Sequence, residues 1–187
     1  MQIRTTPLPG VQIFIPDEHT DTRGGLVEQY HLQRYQQAGI TQGFVQLNHS
    51  YSKQNVLRGL HLQLNKPQGK LIFVTHGRIF DVVVDINPQS ATFKQHFSLE
   101  LSAQNRKQLW IPAGYAHGFL ALSPEAHCHY LCTELYDPYS QAGVHWQDPD
   151  LAIPWPIQQP ILSEQDQRHP TLRKFLQHHD AQDDYPQ

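Results

Sequence analysis

The chain lacks several features that would place it in a class at once. It has only 2 cysteines in 187 residues, a net charge of −3, and no apolar run approaching the length of a membrane span. Its N-terminal segment, MQIRTTPLPG, has no apolar core of the kind found in signal peptides. The near-balanced charge gives no indication of binding to a nucleic-acid backbone or an anionic membrane. We therefore predict a cytoplasmic protein whose partners include neither nucleic acid nor membrane.

The two cysteines, Cys128 and Cys132, lie four residues apart in a segment that is predicted to be a strand. At about 3.3 Å per residue, a strand would hold them roughly 13 Å apart, which is too far for a disulfide. We interpret both as reduced thiols of the core, in keeping with a cytoplasmic location.

Short β-branched and aromatic runs recur along the chain between Gly, Pro and Asn signals, which indicates an all-β sandwich or barrel. The runs include residues 11–15, 43–51, 70–77, 78–86, 94–102, 107–112 and 127–135. Helical spacing predicts one short helix over 32–40 and another near 170–178, with Pro170 in its first turn. The last seven residues, AQDDYPQ, are predicted to be a frayed tail.

We expect one domain over residues 1–187. Within it we expect an N-terminal arm with strands over about 1–45, a jelly-roll core over 46–135, and a C-terminal segment and tail over 136–187. Alternation in the run 78–86 predicts one wholly apolar face, formed by Phe80, Val82, Val84 and Ile86.

The middle of the chain matches both halves of the cupin pattern. The metal-binding form of the first half has His-x-His, then a carboxylate, then six residues and a glycine. In this chain the corresponding positions hold His61, Gln63, Lys70 and Gly77. The second half, Pro-x-Gly-x-x-His, is present as Pro112, Gly114 and His117.

Two of these positions argue against a bound metal. Gln63 replaces the second histidine and Lys70 replaces the carboxylate. A protonated lysine has no lone pair for a metal and repels a divalent ion. We therefore predict that the scaffold of a metal site is retained and that the site functions without metal or cofactor.

Such a site can still act on a proton next to a ketone. Removing that proton needs a positioned base and a cation or hydrogen-bond donor near the developing enolate oxygen. His61 offers the base and Lys70 the cation. Inversion of the carbon also needs a separate acid on its opposite face, and Tyr130 is available on a neighbouring predicted strand.

Seven ordered segments of the chain resemble the dTDP-4-dehydrorhamnose 3,5-epimerase family, from about residue 4 to residue 166. The segments are 21–30, 48–63, 68–86, 101–122, 129–138, 148–156 and 160–166. The resemblance implies a cupin-type jelly-roll barrel with short flanking helices. It also implies epimerisation of dTDP-4-keto-6-deoxy-D-glucose at C3 and C5 to dTDP-4-keto-L-rhamnose, in dTDP-L-rhamnose biosynthesis. The expected assembly is a homodimer with exchanged N-terminal strands.

The resemblance also implies roles for individual residues. His61 matches the catalytic base, Asp166 the carboxylate that pairs with it, and Tyr130 the proton donor. Lys70 sits where the family places a cation near the sugar ketone. The other matched positions contact substrate or nucleotide and are Arg23, Glu28, Gln46, Asn48, Arg58, His117 and Tyr136. Among these, Arg23 and Arg58 are chemically suited to a diphosphate.

The chain departs from the family pattern at four positions, which are His19, Leu47, Gln141 and Gln165. None belongs to the predicted His–Asp–Tyr group. These departures leave open the nucleotide preference and which carbon is inverted.

Three alternative functions remain beside the double epimerase. One is a related epimerase that inverts one carbon only or accepts another sugar nucleotide. The others are a metal-dependent cupin oxygenase and a non-catalytic barrel that binds sugar nucleotides. The histidines with no convergent spacing are interpreted as surface or polar filler, namely His31, His49, His76, His96, His127, His145, His169, His178 and His179.

Overall fold

The computed structural model of the protein describes residues 1–179 and is built mainly from β-strands. In chain order the strands are β1 Gln2–Thr5, β2 Gln12–Ile15, β3 Glu18–Asp21, β4 Gly24–Val27, β5 Gln46–Lys53, β6 Leu57–Gln63, β7 Lys70–His76, β8 Arg78–Asp85, β9 His96–Ser102, β10 Gln108–Ile111, β11 Tyr115–Ala121, β12 Glu125–Cys132 and β13 Gln141–Gly143. The helices are α1 Leu32–Gln37, α2 Glu164–Gln167 and α3 Leu172–His179. The predicted tail, 181–187, lies outside the described residues.

Two antiparallel sheets pack face to face. The first has the strand order β1-β2-β10-β7-β12-β5, and the second has the order β13-β6-β11-β8-β9. Inward-facing side chains of both sheets form one buried core, which includes Ile72, Val74, Leu109, Val83 and Leu101. The all-β jelly-roll prediction is therefore confirmed, and the division into arm, core and C-terminal segment stays a prediction.

The outer face of each sheet is partly covered by other segments. Around α1, Tyr35 and Ile40 pack with Phe14 and Trp110 of the first sheet. Over the second sheet, Leu151 and the helix α3 pack against the outward face of β8. Predicted alternation in β8 is confirmed, since Val82, Val84 and Ile86 lie in this cluster with Phe80 at its margin. Both cysteines are free and buried, as predicted.

The predicted helices are present, although their limits differ slightly. Helix α1 ends before Gly39, whose φ of +100° lies in the region that favours glycine. Helix α3 begins at Leu172, so Pro170 precedes the helix and does not lie in its first turn. The short helix α2 was not predicted.

The strands β6 and β11 were missed as strands in the sequence, although they carry His61 and His117. A glycine interrupts the apolar pattern of each, and the two glycines are in close contact at a shift of the strand register. A Cβ atom on Gly59 would lie 2.5 Å from the Cα of Gly118. Only glycine allows the two backbones to approach this closely. Neither strand therefore has the continuous β-branched and aromatic run by which strands were predicted.

Several histidines interpreted as polar filler converge on the outer face of the first sheet. The Nε2 atom of His49 lies 3.0 Å from Nδ1 of His127, and the rings of His49 and His129 stack 4.4 Å apart. His76 meets the edge of His127. Cross-strand pairing of β5, β12 and β7 brings these distant positions together, which spacing along the chain does not reveal.

Candidate active site

A cavity of about 330 Å³ opens between the inner faces of the two sheets. Eight of the eleven predicted site residues line it, namely His61, Tyr130, Gln46, Asn48, Arg58, Lys70, His117 and Tyr136. The second sheet contributes His61 and His117, while Lys70 and Tyr130 come from the first. The predicted base and the predicted acid therefore lie on opposite walls.

His61 and Asp166 form a short hydrogen bond although they are 105 residues apart. His61 Nε2 lies 2.5 Å from Asp166 Oδ1, and the Asp166 side chain is only 5% exposed. Because a carboxylate can only accept, Nε2 carries the proton and donates it, which leaves the lone pair of neutral His61 on Nδ1. Asp166 thus fixes both the orientation and the tautomer of the imidazole.

The helix α2 places Asp166 through a local capping interaction. Ser163 is the N-cap, and its hydroxyl accepts a hydrogen bond from the backbone N–H of Asp166 at 3.1 Å. Serine followed three residues later by an acidic residue is a signature of a helix start. That signature, Ser163-Glu164-Gln165-Asp166, could have revealed the helix from the sequence.

The electrostatic surroundings favour a neutral histidine beside an ionised aspartate. Burial lowers the pKa of His61, and Lys70 and His169 lower it further, against the opposite effect of Asp166. Burial raises the pKa of Asp166, but His169, His61 and Ser163 together bring that pKa well below its usual range. At neutral pH His61 is therefore available to accept a proton.

Tyr130 has the opposite protonation preference. Burial raises the pKa of the phenol, and the thiols of Cys128 and Cys132 raise it further, while Arg58 partly offsets them. The phenol therefore keeps its proton at neutral pH, as an acid must. Burial also lowers the pKa of Lys70, which Cys132 and Asp81 partly counteract.

A second histidine–aspartate pair lies beside the first. His117 on β11 is the cross-strand neighbour of His61, and its Nε2 lies 2.9 Å from Oδ2 of Asp81. Asp81 is on β8 and is completely buried. Asp81 lies on the face of β8 opposite to the apolar one, and its bond to His117 was not predicted.

The polar residues at the cavity mouth hold one another in place. Gln46 donates to the side chain of Asn48 at 2.9 Å and accepts from the backbone N–H of Tyr136 at 2.8 Å. Tyr136 in turn donates its hydroxyl proton to Gln141. Arg58 donates from Nε to Ser52 at 3.0 Å, so its guanidinium is oriented at the rim of the cavity.

Arg23 and Glu28 do not reach the cavity in this chain. Arg23 lies between β3 and β4, which form a separate hairpin, and it pairs with Asp21 while its side chain is 87% exposed. Glu28 accepts a hydrogen bond from Arg34 at 2.8 Å. The fold of one chain therefore leaves these two predicted substrate contacts outside the site.

Gln63 and Lys70 occupy two of the cupin metal positions, and neither is suited to bind a metal here. Gln63 donates to the carbonyls of Lys66 and Leu135 and accepts from the N–H of Asp137, so its amide anchors a loop. Lys70, at the carboxylate position, offers an ammonium or amine in place of an anion.

A different group in the described residues has donor atoms close enough for a metal. The side-chain donors of His61, Asp166 and His169 lie within 4.8 Å of one another. Two ligands of one zinc ion sit roughly 3.3 Å apart, given ~2.0–2.1 Å bonds in a tetrahedral site. The 2.5 Å separation of His61 and Asp166 instead fits a hydrogen-bonded acid–base pair.

Comparison with known proteins identifies the family. A family model described as "dTDP-4-dehydrorhamnose 3,5-epimerase" matches residues 5–174. A dTDP-4-dehydrorhamnose 3,5-epimerase of Methanothermobacter thermautotrophicus is 45% identical over 172 residues, which cover 90% of this chain and 93% of that protein. The chain belongs to the dTDP-4-dehydrorhamnose 3,5-epimerase family. This confirms the resemblance seen in the sequence and the prediction of an isomerase.

Solved and more distant relatives agree with this assignment. A crystal structure of the 3,5-epimerase of Legionella pneumophila in complex with dTDP-4-keto-L-rhamnose superposes with a TM-score of 0.90. It is 44% identical, and the match covers 92% of this chain and 93% of that one. A dTDP-4-dehydrorhamnose 3-epimerase of Streptomyces niveus is 38% identical over 170 residues, covering 89% of this chain and 82% of that protein.

No helix in the described part of the chain is both long and apolar enough to cross a membrane.

His169 is a further residue of the candidate site that was not predicted from the sequence. His169 was interpreted as surface or polar filler, but its side chain is buried beside Asp166, with Nε2 3.4 Å from Oδ1. It lies three residues after Asp166, across the end of the short helix α2. Because the helix ends at Gln167, helical spacing in the sequence does not pair His169 with Asp166.

Proposed function

We propose that the chain epimerises dTDP-4-keto-6-deoxy-D-glucose at C3 and C5 to give dTDP-4-keto-L-rhamnose. One observation carries this proposal: an imidazole paired with Asp166 and a protonated phenol line opposite walls of one cavity. Inversion of a carbon needs removal of a proton on one face and its return on the other.

His61 acts as the base through Nδ1, since Nε2 is bound to Asp166. It removes the proton at a carbon next to the C4 ketone and leaves an enolate. Lys70 lies on the facing wall and stabilises the enolate oxygen by its charge or by hydrogen bonding. Tyr130 returns a proton from the opposite face. C3 and C5 both neighbour the ketone, so one base and one acid serve both carbons in turn, after His61 has released its proton to solvent and the Tyr130 phenolate has taken one up.

The dTDP moiety is bound at the cavity mouth. Arg58 offers a planar fork to the diphosphate, and Gln46, Asn48 and Tyr136 offer hydrogen bonds to sugar or nucleotide. His117, held by Asp81, is suited to a hydrogen bond with the sugar. Leu47 is one of the four departures from the family pattern. It points outward from β5 with 60% of its surface exposed and does not line the cavity.

The reaction proceeds without metal or cofactor in this proposal. Support comes from the structural use of Gln63, the amine at Lys70 and the hydrogen-bond distance between His61 and Asp166. The test is turnover after exhaustive dialysis against a chelator, with metal content measured on the same sample. Full activity without stoichiometric metal is expected, and restoration of lost activity by one added ion would contradict it.

A homodimer with exchanged N-terminal segments would complete the site. The β3–β4 hairpin is exposed in one chain, including Leu26 at 70%, and it carries Arg23 away from the cavity of its own chain. We propose that Arg23 and Glu28 serve the cavity of the partner.

The two buried thiols without a disulfide support a cytoplasmic location.

Mixing two inactive variants tests this arrangement. In a heterodimer of Arg23→Ala and His61→Asn chains, one cavity holds an intact His61 and receives an intact Arg23. Activity should therefore reappear on refolding the two chains together, beside a control in which each is refolded alone. Absence of any recovery in heterodimers shown to have formed would contradict the exchange.

A further inference from the structure

His169 occupies an unusual place beside the predicted base. Its side chain is 9% exposed, and Nε2 lies 3.4 Å from the Asp166 oxygen that His61 also contacts. Nε2 is buried and makes no hydrogen bond with any described residue. A buried nitrogen without a partner is costly, so the contact with the charged carboxylate is its main compensation.

The sheet leaves a space for this ring. Gly143 on β13 is the cross-strand partner of His61 on β6. A Cβ atom at Gly143 would lie 2.5 Å from both Cε1 and Nε2 of His169. The imidazole of His169 thus fills the position of a cross-strand side chain and meets the ring of His61 edge-on, with centroids 5.5 Å apart at 73°.

Two backbone anchors fix the segment that carries His169. The N–H of His145 donates to the carbonyl of Pro170 at 2.8 Å. The N–H of Leu172 donates to the buried carboxylate of Asp148 at 2.7 Å. Since both anchors lie within three residues after His169, its ring is held against Asp166 by the fold.

We propose that His169 is a positioning residue that holds the Asp166 carboxylate between two imidazoles and thereby sets the basicity of His61. The inference rests on the proposed function of His61 as the base. His169 does not line the substrate cavity and acts through Asp166. The other charged or titratable groups that act on His61 are Asp166 and Lys70, and the pair His117–Asp81 lies on the neighbouring strands.

The charges around His61 determine how loss of His169 changes its protonation. The negative charge of Asp166 favours the protonated form of His61. Contact between Asp166 and His169 weakens this effect of the carboxylate on His61. Burial is the largest cause of the lowered pKa of His61, and His169 acts in the same direction. Without His169, protonated His61 is better stabilised. The acid limb of kcat/KM therefore moves to higher pH.

Four substitutions test this role. His169→Phe keeps a planar ring but removes the nitrogen, so kcat/KM on the acid limb should fall about three- to tenfold with KM unchanged. His169→Gln retains an N–H donor near Nε2 and should restore most of the wild-type pH profile. Gly143→Ala leaves His169 intact but displaces its ring, and should shift the limb in the same direction as His169→Phe. In a His169→Ala background, Gly143→Ala should have no further effect.

The pH profile separates this role from simple packing. His178→Gln, at an exposed position of α3, is the matched control and should leave the profile unchanged. Wild-type acid limbs in both His169→Phe and Gly143→Ala would overturn the proposal. So would equal losses in His169→Phe and His169→Gln at every pH, accompanied only by a lower Tm. Failure of the proposed function is distinguishable, because the wild-type protein would then show no turnover in the same assay.

Discussion

His61 and His117 face each other across strands β6 and β11, and each donates a hydrogen bond to a buried aspartate. The two pairs differ in the origin of the carboxylate. Asp81 comes from the adjacent strand β8 and has no exposed surface, whereas Asp166 comes from a short helix near the end of the described chain. The His61 side chain is 28% exposed and that of His117 is 11% exposed.

We infer from this difference that the His117–Asp81 pair belongs to the scaffold, whereas the His61–Asp166 pair takes part in the proposed proton transfer. Asp81 is part of the barrel wall, and its strand β8 pairs with β11 within the second sheet. The His117–Asp81 bond therefore forms whenever that sheet forms. Asp166 reaches His61 only when the C-terminal segment folds back over the barrel. We therefore expect changes in the first pair to affect stability and substrate binding, and changes in the second to affect proton transfer.

The largest expected effect comes from His61→Asn, compared with His117→Asn. His61→Asn should lose both product and exchange of the α-protons with solvent, with a rate decrease of roughly a hundred- to ten-thousandfold. His117→Asn should retain exchange and mainly raise KM. Quantitative proton NMR in deuterated water measures both. Equal loss of exchange in the two variants would remove the distinction between the pairs.

Tyr130→Phe should separate the two proton transfers. The substitution keeps the ring and its packing, so the protein should fold normally by circular dichroism. His61 should still exchange α-protons on the original face, while formation of the inverted product falls steeply. Normal product formation would mean that Tyr130 is a core aromatic and that another group is the acid.

Asp166→Asn and Asp81→Asn compare the two carboxylates directly. Asp166→Asn should have a rate between those of wild type and His61→Asn, because it weakens the base without deleting it. Asp81→Asn places an amide in a completely buried site and should cost about 1–3 kcal/mol of unfolding free energy. Chemical denaturation and turnover are measured on both. The comparison fails if Asp81→Asn slows proton exchange more than Asp166→Asn does.

Arg58 tests binding apart from proton transfer. Arg58→Ala should weaken substrate binding much more than Arg58→Lys, since a diphosphate prefers a planar fork but still accepts a point charge. Titration calorimetry with dTDP provides the measurement. Wild-type affinity in both variants would show that Arg58 is not a phosphate ligand.

The pH dependence should be the mildest effect and should show a wide plateau. The pKa of His61 is lowered, so the neutral base persists to lower pH and kcat/KM should decline only below the ordinary imidazole value of about 6.5. The pKa of Tyr130 is raised, so the alkaline limb, where the phenol loses its proton, should appear only above the ordinary tyrosine value of about 10. A plateau that ends well inside these limits would contradict the assignment of base and acid.

The barrel could be predicted from the sequence because it depends on local patterns, whereas most of the candidate site residues came from the resemblance to the family. Alternation in β8 indicated which face of the strand is apolar, and the spacing of His61, Lys70 and His117 indicated a cupin without its carboxylate ligand. Features that depend on distant contacts were not accessible in this way. The place of His169 over Gly143, and the bond from His117 to Asp81, arise from cross-strand register and from the return of the C-terminal segment.

The most direct test follows dTDP-4-keto-6-deoxy-D-glucose by proton NMR in deuterated water with the purified protein. We expect loss of the proton signals at both C3 and C5 and the appearance of dTDP-4-keto-L-rhamnose, with neither event in His61→Asn. Exchange and inversion at C3 alone would identify a single epimerase. Binding of the nucleotide sugar with no deuterium entering either carbon would contradict the central claim that His61 and Tyr130 invert carbons next to the ketone.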